Sequence, residues 1–285
     1  MDCREIPRGA YPKEGIGALR EIPQPPERLW LRGTLPPSSY KKLAVVGSRA
    51  LTAYGRDACQ YLLGGLRGVP VSVVSGLALG ADACAHEAAL AAGLHTIAVP
   101  GSGLSDSYIA PRTNLGIAQD ILAAGGALLS EHPPETGARP AYFPSRNRIM
   151  VGIADAVLVI EAGEKSGTLI TARLASDYNR DLLCVPHRIG DAHGFAASIF
   201  IRLGAAYITE PRHILEALGL GAPAQQALPL LSEHEALLLT LLAVPRTRQD
   251  LITVSKLSDP EAEQALATLI LKGLLKEEYG TISRT

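Results

Sequence analysis

The chain has 285 residues, 47% hydrophobic and 19% charged, with a formal net charge of −1. Such a composition excludes a disordered chain, which cannot bury enough apolar surface to offset its conformational entropy. With 27 basic against 28 acidic side chains, bulk charge cannot hold a polyanion, so any such site has to be a local patch.

Residues 1–40 carry Pro7, Pro12, Pro23, Pro25, Pro26, Pro36 and Pro37 and little periodicity. Proline lacks the donor that sheets and helix interiors need, so this stretch predicts an irregular arm draped on a core. From residue 41 to 218 short apolar runs recur at 43–46, 71–74, 96–99, 127–129, 156–160, 182–185 and 205–208. Between and after them lie helix-length segments at 52–66, 81–92, 112–124, 168–179, 196–203 and 211–218. Strands that are apolar without alternation have both faces covered by helices. Their alternation with helices predicts an α/β domain with a mostly parallel sheet, an extended Rossmann-like fold. Residues 219–230 (GLGAPAQQALPL) read as a linker, and 231–285 as a small winged-helix-like domain, with helices at 233–242, 248–254 and 261–273 before a hairpin turning near Gly280. Residues 225–285 have a net charge of −2, and the recognition segment 259–273 sets Asp259, Glu261 and Glu263 against Lys272 alone. Phosphate would be repelled there, so this domain is expected to pack or to bind protein rather than read DNA.

There is no run of about 18 apolar residues to span a membrane and the N-terminus lacks an apolar signal core, so a cytoplasmic location is expected and membrane insertion is not. Cys3, Cys59, Cys84 and Cys184 lie far apart without a C-x-x-C pair and are expected to be reduced thiols, mostly core packing. Neither a metal nor a cofactor is expected.

In an open parallel sheet, ligands collect beyond the carboxyl ends of the strands, where helix N-termini offer free N–H groups to anions. The first run ends in Gly47-Ser48-Arg49-Ala50-Leu51-Thr52, where a dinucleotide fingerprint would need a second glycine at 49. Arg49 is instead suited to clamp a phosphate, with Ser48 and Thr52 as hydroxyl donors or helix caps. After the second run, Gly76 and Gly80 permit close backbone approach, and Asp82 with His86 reads as a local pair one helical turn apart. After the fifth, Ser166-Gly167-Thr168 opens a helix as an anion nest or merely caps it, and no Walker A motif is present. The sharpest patch is RPAYFPSRNR, with Arg139, Phe143, Arg146, Asn147 and Arg148, and with two adjacent aromatics and no acid. Arginines for the backbone and a ring for a base are what single-stranded nucleic acid needs.

These motifs in this order resemble the DNA-processing protein A family (DprA, also called Smf) over residues 40–218. The resemblance implies a non-enzymatic single-stranded DNA binder that dimerises, shields incoming strands, loads RecA recombinase during natural transformation and helps displace single-strand binding protein. It matches G-S-R-x-x-T to Gly47, Ser48, Arg49 and Thr52, F-P-x-R-N-R to Phe143, Pro144, Arg146, Asn147 and Arg148, and S-G-[ST]-x-x-T-A to Ser166, Gly167, Thr168, Thr171 and Ala172. It further implies that Arg49 contacts phosphate and Phe143 stacks a base. The chain departs from the family at Pro186-His187-Arg188-Ile189, where members usually show P-G-x-I, and at Gly80-Ala81-Asp82 in place of G-I-D, and the usual helical amino-terminal module is expected to be absent or reduced to the proline-rich first 40 residues. Arg139, His187 and Arg188 are candidates to extend the DNA surface. The alternative is a nucleotide phosphoribohydrolase of the lysine-decarboxylase-like family, whose P-G-G-x-G-T-x-x-E loop places a glutamate after the nest. Here the only nearby acids, Glu161 and Glu164, precede it.

Overall fold

A computed structural model describes residues 3–164, 166–221, 231–242, 244–271, 274–278 and 280–284. The chain divides into two compact units, Met1–Pro223 and Ala224–Thr285. From residue 222 to 230, the expected linker lies outside the described residues.

The first unit runs β1 (Arg4–Pro7), α1 (Lys13–Ile16), β2 (Arg28–Gly33), β3 (Lys41–Val46), α2 (Ala53–Gly64), β4 (Val71–Ser75), α3 (Ala81–Ala91), β5 (His95–Ala98), α4 (Leu115–Ala123) and β6 (Ala127–Ser130). It continues through α5 (Tyr142–Ile153), β7 (Ala156–Val159), α6 (Thr168–Asp177), β8 (Asp181–Cys184), α7 (Phe195–Arg202), β9 (Ala206–Tyr207) and α8 (Pro211–Ala217). The nine strands form one sheet in the order β1-β2-β6-β5-β4-β3-β7-β8-β9. From β6 to β9 every neighbouring pair is parallel. Alternate residues of a strand supply opposite faces. Leu43 and Val45 of β3 join Ala156, Leu158 and Ile160 in one core, while Ala44 and Val46 join Val157 and Val159 in the other. Two dry faces explain the unbroken apolar runs, since each fully buried aliphatic side chain contributes about 1.5–3 kcal/mol.

Where the sequence predicts an irregular arm, the structure has two antiparallel strands: β1 pairs with β2, and β2 with β6. Pro7 is tolerated because it closes the outermost strand, where one side of the backbone needs no partner. Strand β2 reads RLWLRG, and its Leu29, Trp30 and Leu31 are buried.

The second unit contains α9 (Glu233–Leu241), β10 (Arg246–Thr247), α10 (Arg248–Ser255), α11 (Asp259–Leu271), β11 (Leu275–Glu278) and β12 (Thr281–Arg284). Ser232 and Glu235 close a capping box on α9. The sheet order is β10-β12-β11, so the expected hairpin gains a third short strand. Leu238, Leu251, Leu266, Leu269 and Ile282 form its core. Arg248 is neutralised by Glu263 and by Glu277, whose Oε2 lies 2.5 Å from Nη2.

Candidate nucleic-acid interface

Strand order reverses between β3 and β7: the chain leaves β3 toward β4 on one side and returns to β7 on the other. That reversal opens a crevice beyond the strand ends. A cleft of about 840 Å³ occupies it, lined by Gly47, Ser48, Arg49, Phe143, Asn147 and Ser166 among others.

Its β3 wall is the turn 47–52, fixed from two sides. Ala81 N–H at the start of α3 donates to Ser48 O at 3.0 Å, and Gly80, at φ +74°, leaves no room for a side chain against the Ser48 and Arg49 carbonyls. Thr52 caps α2, its Oγ1 accepting from Gly55 N–H at 3.1 Å. Thr52 in turn donates its N–H to Glu161 Oε2 at 3.0 Å and its hydroxyl to Glu161 Oε1. Both Thr52 groups therefore serve the fold, and fully buried Glu161 is not available as a base. Between these anchors, the exposed Arg49 guanidinium lies 5.1 Å from the centroid of the Phe143 ring. The ring also rests on Gly101, where a Cβ would come within 3.0 Å of Cδ1.

Helix α5 supplies the opposite wall. Phe143, Arg146, Asn147 and Met150 recur at helical spacing, and all four line the cleft. Arg146, however, is only 6% exposed. Its guanidinium donates to Asp82 Oδ2 at 3.2 Å and to Val99 O, its Nε donates to Asn147 Oδ1 at 3.0 Å, and it fills the space left by Gly76. Burial pushes the Arg146 pKa down, and the Asp82 charge opposes that. Expected to grip a phosphate, Arg146 here ties α3 and α5 to the segment just after β5 at the cleft floor. Asn147 likewise donates to Thr171 Oγ1 at 2.9 Å, joining α5 to α6.

Arg148 leaves the group altogether. Two residues past Arg146 it points about 200° around the helix, where Nη2 meets Glu131 Oε1 at 2.5 Å. The expected Asp82–His86 pair is also absent, since Asp82 serves Arg146 while His86 Nδ1 meets Thr96 Oγ1 at 2.8 Å.

The α6 segment turns out largely self-satisfied. Ser166 Oγ accepts Thr168 N–H at 3.2 Å and donates to Thr168 Oγ1 at 2.9 Å, so this turn caps the helix more than it offers an open nest. Gly167 and Thr168 line the cleft beside Glu164. His187 does not extend the surface: its side chain is 1% exposed, Nε2 lies 3.8 Å from Glu161 Oε1 and Nδ1 donates to Val185 O at 3.0 Å. Arg188, next to it, is exposed. Arg139 is exposed as well, its guanidinium 5.8 Å from the Tyr142 ring centroid. Among the described residues no His, Cys, Asp and Glu cluster fits a metal, and no helix is long and apolar enough to cross a membrane.

A doubly wound sheet with a cleft at its strand reversal, edged by an exposed arginine and an aromatic ring, defines a class of α/β ligand-binding proteins. Over residues 5–219 the chain matches the DNA recombination-mediator protein A family, to which it belongs. It is 40% identical to Protein Smf of Escherichia coli over 69% of this chain, and spans about half (52%) of that relative's length. It is 36% identical to DNA processing protein DprA of Bacillus subtilis, over 75% of this chain and 76% of the relative. Among solved structures it resembles DNA processing protein A from Streptococcus pneumoniae (TM-score 0.65, 36% identity, 70% of this chain and 69% of that one). A second is DNA processing protein A from Helicobacter pylori, whose single-stranded DNA binding mode was the subject of its determination (TM-score 0.62, 29% identity, 70% of this chain and 91% of that one).

Proposed function

We propose that this cleft holds single-stranded DNA and that the protein is a recombination mediator which shields incoming strands, helps displace single-strand binding protein and hands them to RecA, acting as a homodimer. The observation that carries the reading is the exposed Arg49 guanidinium set against the Phe143 ring at the cleft. One group matches a phosphate and the other the flat face of an unpaired base, which a duplex keeps stacked inside. Stacking contributes about 1–3 kcal/mol per base whatever the sequence. Residues Gly47, Ser48, Thr52, Arg146, Asn147, Ser166, Gly167 and Thr168 shape and stiffen the site, and exposed Arg139 and Arg188 add charge around it. Self-association is supported by exposed Phe195, Ile199 and Leu203, spaced four residues apart along and just past α7, and by exposed Tyr207 on edge strand β9. A gel shift with single- and double-stranded oligonucleotides, run beside a nucleoside-5′-monophosphate hydrolysis assay, tests the reading. Strand-selective retardation without base release is expected; base release without retardation would select a hydrolase.

A further inference from the structure

The four arginines around this wall fall into two kinds. Arg146 and Arg148 are held by Asp82 and Glu131. Arg49 and Arg139 are exposed, form no ion pair among the described residues, and each lies over an aromatic ring, at 5.1 Å from Phe143 and 5.8 Å from Tyr142. The two rings are consecutive at the start of α5, so their side chains leave the helix about 100° apart and present separate faces.

Tyr142 is also backed. Its ring stacks on His132 with centroids 3.7 Å apart and planes 25° apart. His132 is held in turn by its N–H, which donates to Ser130 Oγ at 3.0 Å, and Ser130 Oγ donates to Ser102 O at 2.7 Å. Burial holds the His132 imidazole below its ordinary pKa, with Glu131 opposing and Arg148 and Arg139 adding to the shift, so the backing ring is an uncharged plane at neutral pH. A single role for Phe143 does not use this second ring–guanidinium pair.

We propose that Tyr142, backed by His132 and faced by Arg139, is a second nucleobase platform, which takes the nucleotide next to the one stacked on Phe143. The proposal rests on the single-stranded DNA reading above. A base held between ring and guanidinium needs two stacking gaps of about 3.5 Å each. From 5.8 Å, the Arg139 guanidinium has only to swing outward by about 1 Å, and Arg49 from 5.1 Å by about 2 Å. Both movements leave each cation beside the strand, where the phosphates run. The site then reads two successive bases by their π-faces, with no preference for sequence.

The test measures binding of a labelled 20-nucleotide oligothymidylate by Tyr142→Leu, Tyr142→Phe, His132→Ala, Arg139→Ala and Phe143→Ala, with urea unfolding of each variant as the folding control. Tyr142→Leu keeps apolar bulk against His132 and is expected to weaken binding about 5- to 150-fold, while Tyr142→Phe binds as the parent does. Arg139→Ala is expected to lower the log–log salt slope by about 0.7. His132→Ala, which unseats the platform from outside the helix, weakens binding in the same direction. If Tyr142→Leu and His132→Ala bind like the parent while Phe143→Ala is weak, the second platform is wrong and the first stands. If Phe143→Ala also binds like the parent, the cleft reading itself is wrong.

Discussion

Replacing Arg146 by alanine separates a fold-holding arginine from a ligand-holding one. The substitution strands Asp82, which is 6% exposed, without its counter-charge. Removing one partner of a buried ion pair costs about 3–5 kcal/mol, against a total stability of about 5–15 kcal/mol for typical domains. In a unit of this size that lowers Tm by about 6–20 °C. The chain has one tryptophan, and Trp30 lies buried in β2, so its fluorescence during urea unfolding reports the first unit. The midpoint should fall without a change in slope. Asp82→Ala should fall by a similar amount, and the double variant by less than the sum, because the second substitution removes a charge already orphaned. Gly76→Ala should reproduce the loss, since a Cβ there occupies the space of the guanidinium. If Arg146→Ala unfolds like the parent yet has lost oligonucleotide binding, the guanidinium serves a ligand and this account of the cleft floor fails.

Two further outcomes follow from the same geometry. Gly80→Ala puts a side chain at φ +74° and against the carbonyls of Ser48 and Arg49; a cost of about 1–3 kcal/mol together with weakened oligonucleotide binding is expected, and unchanged values in both assays would contradict the anchoring of the 47–52 turn. Burial, with the nearby Arg146 charge adding to it, pushes His86 down to about 3 from its ordinary 6.5, partly offset by a hydrogen bond with the Ser75 backbone. Its folded-state pKa is depressed, so the unfolded chain takes up a proton that the folded chain refuses. Stability is therefore intact above pH 6.5 and declines as pH falls toward 3, with a slope approaching about 1.4 kcal/mol per pH unit. His86→Gln should remove that part of the slope between pH 6.5 and 4.5 in urea titrations; an identical slope in parent and variant would refute it.

The parallel core was legible because two covered faces leave unbroken apolar runs such as VSVVS in β4, every residue of which is buried. The first 40 residues were not. A strand of four residues ending in Pro7 has too little periodicity to stand out, and β2 is stabilised by pairing with β6, nearly 100 residues later. Phe143 and Arg49, both singled out in the sequence by residue type, are brought together at one cleft by the fold. Helical spacing separates Arg146 from Arg148 by about 200°, which the reading of RPAYFPSRNR as a single patch left out of account. Nothing local announces that Asp82 would reach Arg146, 64 positions away, or that Glu161 would cap the turn beginning at Gly47. The same holds for His132 under Tyr142, because the stack depends on where β6 ends relative to α5. Long-range pairings of this kind follow from the fold and not from any window of sequence.

The central claim is that an unpaired guanidinium beside an open ring grips a single strand at the reversal of the sheet. Its most direct measurement is the salt dependence of oligothymidylate affinity for the parent protein and for Arg49→Ala. Each phosphate contact on a single strand contributes about −0.7 to the log–log slope, so the variant should bind more weakly at every salt concentration and lose about 0.7 of that slope. Equal affinities and equal slopes in the two proteins would place the strand elsewhere.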